Sequence, residues 1–218
     1  MWRFRVPSRM MRLMIGLALM GSAWAQEEST GVTGQPELVN YVVVQVIAPD
    51  VDEDFGRLRS ILGEDFRLEG IADLDFDGPN LGVSVTEGLV FNAYFALEGS
   101  LTYFGDYDLD VVLDSGQRRT VSGDFFGGAL MFSGRFPLWG GLKIHVKAGG
   151  AYWYRSAEID VAAEGNPRHA DGEGGSVVAG LGLSRPVLEH SFLTLDWEMR
   201  ELDKIDVSTL SLGWGFRF

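Results

Sequence analysis

The sequence predicts an all-β fold: an eight-stranded antiparallel transmembrane β-barrel with short periplasmic turns and long acidic outer loops. Three observations predict it. Strand-like stretches alternate between apolar residues and small or polar ones, the links between them alternate between short and long, and the N-terminus is typical of an exported protein. The 29 glycines spread along the chain argue against a helical domain. There is no cysteine, so disulfide and thiolate chemistry are excluded.

Residues 1–25 are predicted to be a signal peptide. Four arginines precede a short apolar core at 13–20, and Ala23-Trp24-Ala25 supplies small residues where signal peptidase reads the chain. The alternative, a membrane-anchoring helix, needs about 20 apolar residues, which is more than this core provides. We therefore expect cleavage after Ala25, a short periplasmic leader at 26–38 and a barrel domain at 39–218.

Eight strand-like stretches follow the leader. The last of them places Leu210, Leu212 and Trp214 on one parity with two phenylalanines, and threonine, serine, glycine and arginine on the other. A strand turns successive side chains to opposite faces, so this is one apolar face and one small or polar face. The stretches cover residues 39–48, 80–91, 94–105, 121–136, 141–156, 175–185, 191–201 and 206–218.

The chemistry of the polar parity decides which face points outward. It mixes charged residues with glycine, alanine and serine, which would cover a solvent-facing sheet poorly, whereas the apolar parity continues from strand to strand and is flanked by tyrosine and tryptophan. Small and charged groups inside, with aliphatic and interfacial aromatic groups outside, are typical of a transmembrane barrel. The apolar faces are therefore predicted to contact lipid.

Link lengths predict which end of the barrel faces outward. The links after the second, fourth and sixth stretches are short, whereas those at 49–79, 106–120 and 157–174 are long and acidic. Outer-membrane barrels have short periplasmic turns and longer outer loops, and an even strand count places both chain ends on the periplasmic side. Within the first long link, Phe55 and Leu58 stand at helical spacing with Leu62, which predicts a short amphipathic helix over the barrel mouth.

The acidic outer loops raise the question of metal binding. The stretch "DLDFDG" at 73–78 imitates the opening of a calcium loop, but Ser84 stands where the bidentate glutamate should be, so no metal site is predicted. Residues 50–78 nevertheless contain ten acidic side chains. Divalent cations are expected to bridge such carboxylates to one another or to lipopolysaccharide phosphates without a dedicated protein cage.

Three segments carry a resemblance to a known family. They are "EGLVFNAYFALEGSLTYFG" at 87–105, "SGRFPLWGGLKIHVKAGGAYW" at 133–153, and the closing strand that ends in Phe218. The chain resembles the OmpA-like eight-stranded outer-membrane β-barrels (porin family), without the peptidoglycan-binding domain of the larger members. This resemblance implies residence in the outer membrane, contact with its lipid and lipopolysaccharide, and a C-terminal signal for the barrel-assembly machinery formed by Trp214, Phe216 and Phe218.

One residue departs from the barrel pattern. Glu87 shares the outward parity of the valines around it in the second stretch. A carboxylate facing lipid is costly, so either a bulge shifts the register there or the side chain reaches the periplasmic interface.

The inward parity predicts a closed lumen. An eight-stranded barrel is just wide enough to be filled by its own side chains, and buried charges persist when they are paired. Counting from the short turns places acids and bases at matching depth, so we expect a lumen charge network. Its members are Glu98, Lys143, His145, Lys147, Asp196, Glu198 and Arg200.

Three classes of function remain open at this point. The first is a structural or interaction role through the acidic outer loops. The second is a small gated pore for ions or very small solutes, and the third is a lipid-modifying enzyme. The enzyme is disfavoured because none of the three histidines stands near a serine and a carboxylate at the outer rim. No catalytic residue, cofactor or nucleic-acid partner is predicted.

Overall fold

The computed structural model describes residues 39–51, 55–79, 81–159, 168–203 and 205–218. The predicted signal peptide and leader lie outside the described residues, as does the central part of the predicted loop at 157–174. Nine strands and one α-helix follow one another along the described chain, with a single 3-10 turn at Trp139–Gly141. They are β1 (Val39–Val51), α1 (Phe55–Phe66), β2 (Ile71–Asp77), β3 (Gly82–Val90), β4 (Phe95–Leu113), β5 (Arg118–Pro137), β6 (Lys143–Ile159), β7 (Arg168–Leu188), β8 (Ser191–Leu202) and β9 (Ile205–Arg217).

The strands close into a ring, which confirms the predicted barrel. Neighbours along the chain pair antiparallel from β3 to β9, and β9 then pairs with β1, which returns to β3. At the seam, Asn40 and Phe218 exchange backbone hydrogen bonds of 3.2 and 3.0 Å. Each of β1 and β3 to β9 therefore has at least two partners, and the closed part of the ring offers no unpaired edge to lipid.

β2 and β3 share one position in the ring. β3 pairs with β4 between Ala96 and Tyr103, whereas β2 pairs with β4 between Asp108 and Leu113. The two short strands thus act as one interrupted strand beside the long β4. This arrangement reconciles nine strands in the sheet with eight positions around the barrel.

The outer surface near the short turns is a continuous apolar band. Aromatic side chains mark both edges of the band. On β4 they are Phe95 and Tyr103, which enclose nine residues, and on β5 they are Phe126 and Phe136, which enclose eleven residues, with both ends counted. A tilted strand crosses the hydrocarbon core of a bilayer in about 9–11 residues. In the part of the chain that the structure describes, no helix is long and apolar enough to cross a membrane.

The strands continue well past this band on the side of the long links. β4 and β5 extend to a turn at 114–117, so most of the predicted loop at 106–120 is strand, and the loop at 49–79 holds α1 and β2. A bulge between Tyr103 and Gly105 shifts the alternation by one residue. Beyond it, "DYDLD" resumes an alternating pattern that sequence reasoning assigned to a loop because of its charge.

This outer extension, the strand segments beyond the apolar band together with α1 and β2, has an apolar interior. The buried residues of α1 are Leu58, Ile61, Leu62 and Phe66, and they pack among inward-facing leucine, valine and aromatic side chains of the strands. The predicted amphipathic helix is therefore present. Its buried face differs from the predicted one at a single position, because Phe55, in the first turn, is 45% exposed.

Glu87 lies in a regular part of the sheet. The pairing of β3 with both β1 and β4 shows no register shift around Glu87, which stands opposite Val42 and Gly99. It therefore remains on the outer parity, three residues from the end of β3 at the short-turn side. Of the two sequence-based explanations, the bulge is wrong and the position near the interface agrees with the structure.

Candidate functional sites in the lumen and on the outer face

The centre of the lumen holds a lysine between two carboxylates. The Nζ atom of Lys147 lies 3.0 Å from Oε2 of Glu98 and 2.9 Å from Oδ1 of Asp196. The exposed fractions of the three side chains are 7%, 1% and 3%. β6 supplies the lysine, while β4 and β8 supply the acids from opposite sides of the ring. The three side chains therefore bridge the lumen and occupy its width.

Neutral groups from β1 complete this arrangement. The Tyr41 hydroxyl donates to Oε1 of Glu98 at 2.5 Å, and Nε2 of Gln45 donates to Oδ2 of Asp196 at 2.9 Å. Each carboxylate thus has the lysine on one oxygen and a hydrogen-bond donor on the other. Sequence reasoning missed Tyr41 and Gln45, although both stand on the inward parity of a strand otherwise rich in valine.

The other predicted network members bond to partners outside this trio, although His145 lines the same small cavity. His145 shares a 2.7 Å hydrogen bond with the Ser184 hydroxyl, and no carboxylate among the described residues bonds to its ring. Glu198 forms an ion pair with Arg200, whose guanidinium carbon lies 5.2 Å from the centroid of Phe104. Lys143 is half-buried at the short-turn rim, without an acidic partner among the described residues.

The three predicted assembly residues lie on the outer face of the closing strand. Trp214, Phe216 and Phe218 are 39%, 53% and 63% exposed, and the rings of the first two are 6.5 Å apart. Their inward neighbours are Gly213 and Gly215. These aromatic side chains therefore belong to the lipid-facing surface near the chain end, and recognition by the assembly machinery stays a prediction.

α1 is fastened to the outer extension by charge as well as by apolar packing. Arg155 forms ion pairs with Asp65 of α1 and, at 3.0 Å, with Asp203 of the turn after β8, while Arg57 lies 3.5 Å from Asp206. Burial raises the pKa of Tyr107, which lies beside Arg155, to about 12. The cavity beneath α1 has a volume of only about 40 Å³ and mostly apolar walls. The helix therefore closes the outer end of the barrel.

The outside of the extension presents acids opposite acids. Across β2 and β4, Asp75 faces Asp110 and Asp77 faces Asp108, and across β4 and β5 Asp106 faces Asp124. These six residues form what we call the acidic ladder. Like charges in directly opposite positions destabilise a sheet. Burial, followed by the charge of Asp106, raises the pKa of Asp124.

The ladder also changes the interpretation of "DLDFDG". Its aspartates lie in β2, an extended strand, instead of a looped calcium site, so their side chains point outward in parallel. Among the described residues, no group of three or more histidine, aspartate or glutamate side chains is arranged to hold a metal ion. The aspartates of β2 therefore form part of an exposed charged face.

Comparison with known proteins supports the fold. No protein-family model and no curated protein matches the chain. Among solved structures, the attachment invasion locus protein Ail of Yersinia pestis aligns over 84% of this chain and 100% of its own, with 17% identity and a TM-score of 0.53. Outer membrane protein OprG from Pseudomonas aeruginosa aligns over 86% and 99%, with 11% identity and a TM-score of 0.51.

The N-terminal β-barrel domain of Pseudomonas aeruginosa OprF gives a similar result, with 16% identity, a TM-score of 0.50, and 84% and 100% of the two chains aligned. At such low identity, these likenesses concern the fold alone. The fold is that of small outer-membrane β-barrels, in agreement with the resemblance found in the sequence.

Proposed function

We propose that the protein is an integral outer-membrane barrel that acts as a binding platform at the cell surface, with a lumen closed to solutes. The acidic ladder carries this proposal. Opposed aspartates repel one another and destabilise a sheet, so the placement of three such pairs on the outside of the extension favours a role in recognition. The partner chemistry that fits is a basic surface, or divalent cations that link the ladder to lipopolysaccharide phosphates.

Two features favour a platform over a gated pore. The Lys147 trio crosses the lumen within the apolar band, and α1 fills the outer end. A solute would have to break a buried ion pair and displace a packed helix. In planar bilayers, we therefore expect no steady unitary current. A stable open level from the purified, folded protein would favour the pore.

The binding role is tested by neutralising two charges at a time. The protein in zwitterionic phospholipid nanodiscs would be titrated with a lysine-rich peptide, and the dissociation constant compared between two double variants. Asp77→Asn/Asp108→Asn removes one rung of the ladder, whereas Glu69→Gln/Glu201→Gln removes two exposed charges elsewhere on the outer extension. We expect the ladder variant to lose at least fivefold more affinity, about 1 kcal/mol. Equal losses would indicate a general charge effect and contradict the proposal.

A further inference from the structure

The short-turn mouth of the lumen gathers positive charge without acids to balance it. Arg135, Lys143 and Arg217 occupy the inward parity at the periplasmic ends of β5, β6 and β9. We call these three residues the cationic mouth. In the part of the chain that the structure describes, none of them forms an ion pair, whereas the acids of the lumen trio are already engaged by Lys147.

Arg135 is the buried member of the set. Its exposed fraction is 3%, and its Nε atom has no hydrogen-bond partner. The guanidinium carbon lies 5.2 Å from the centroid of the Tyr41 ring, so the group rests on an aromatic face. A buried charged donor such as this Nε–H is costly without a partner, and an anionic ligand would remove that cost.

An aromatic pair holds two of the guanidinium groups in place. The rings of Tyr41 and Phe192 meet edge to face with centroids 5.7 Å apart, and the guanidinium carbon of Arg217 lies 4.9 Å from the Phe192 centroid. The two arginines therefore flank one aromatic unit at the bottom of the lumen. Lys143 pairs in register with Pro137 and Ser184 beside them.

The mutual influence of the three charges supports their proximity. Lys143 is the first residue of β6 and Arg217 is the last residue of β9, so both lie at the rim of the lumen. Burial, followed by the charges of Arg135 and Arg217, lowers the pKa of Lys143, and burial, followed by Arg135, lowers that of Arg217. Repulsion of this kind is relieved when a negative charge binds between the groups.

We propose that the cationic mouth is a binding site for a small oxyanion, such as phosphate or a carboxylate, entering from the short-turn side. Guanidinium groups match the geometry of these anions through paired N–H donors, and the lysine adds a mobile third charge. The trio centred on Lys147 crosses the lumen above the mouth, so an anion bound there would not pass through the barrel.

The test measures saturable phosphate binding to the full-length folded barrel by titration calorimetry, with chloride held at matched ionic strength. The site variant is Lys143→Gln/Arg217→Gln, which spares the buried Arg135. The control is Arg185→Gln, which removes an exposed cation near the same end of the barrel but on the outward parity. We expect the site variant to lose at least tenfold in affinity and the control to bind as wild type. Arg217→Lys, which keeps the charge, should retain most of the binding.

If phosphate binding is absent in the wild type, the proposal is wrong. Loss of binding in Arg185→Gln equal to that in the site variant would also overturn it, because general attraction would then explain the signal.

Discussion

Replacement of Lys147 by methionine tests the closed lumen most directly. The substitution keeps most of the side-chain volume and removes the charge that lies 3.0 Å from Glu98 and 2.9 Å from Asp196. Removing one partner of a buried ion pair costs ~3–5 kcal/mol, because the charge left behind is desolvated without compensation. Two carboxylates are stranded here, yet each keeps its donor from β1, so we expect a loss within that range. It corresponds to ~10²- to 10³-fold or more in the unfolding equilibrium.

The assay is urea-induced unfolding of the barrel in lipid vesicles, compared with Lys143→Met. That control removes the same charge from the same strand, but at the half-buried rim and without stranding an acid. Acidification should restore part of the stability of Lys147→Met, because protonation neutralises the stranded acids. The triple variant Lys147→Met/Glu98→Gln/Asp196→Asn should be more stable than the single variant. Equal unfolding free energies for the two lysine variants would refute the reasoning and show that the trio is solvated.

Four further outcomes are expected. Folded and boiled samples should migrate differently on a denaturing gel, since a closed barrel unfolds slowly, and identical migration would count against the fold. Leu212→Arg should impair assembly more than Ser211→Arg, because arginine on the lipid face costs ~2–4 kcal/mol near the midplane, and the reverse order would invert the assigned faces. Leu62→Ala should destabilise the packing of α1 by ~2–5 kcal/mol and so speed tryptic cleavage of the helix, whereas Phe55→Ala, at an exposed position, should change neither. Similar cleavage rates for the two variants would show that the helix is not packed. Calcium should protect residues 50–78 from protease more than sodium at equal ionic strength, and equal cleavage rates would exclude bridging.

α1 shows which features of a helix follow from residue spacing alone and which depend on its surroundings. Leu58 and Leu62 were identified by spacing alone, because a helix places residues four apart on one face. Phe55 shares that spacing but lies at the first turn, where the neighbouring chain decides whether the side chain is covered, and it is exposed. The helix covers an apolar interior only because β4, β5 and β6 extend beyond the membrane. The acidic residues of these extensions had instead predicted loops.

The candidate sites also combine features that the sequence predicts with features that depend on the tertiary structure. That Glu98, Lys147 and Asp196 face inward followed from parity, and their approximate depth followed from counting up from the turns. That they form one trio, and that His145 bonds to Ser184, depends on the stagger between strands, whereas Glu198 and Arg200 pair within β8. A pattern within one strand carries no information about that stagger.

The sequence by itself determined the strand periodicity, the face that meets lipid and the end that carries the turns, because all three arise from alternation within single strands and from link lengths. Only the tertiary structure decided the bulge after Tyr103, the shared position of β2 and β3, the acids opposite acids in the ladder and the unbalanced arginines at the mouth. Each of these depends on register between strands and on closure of the ring. These are long-range properties, set when backbone hydrogen bonds must be satisfied around the whole barrel at once.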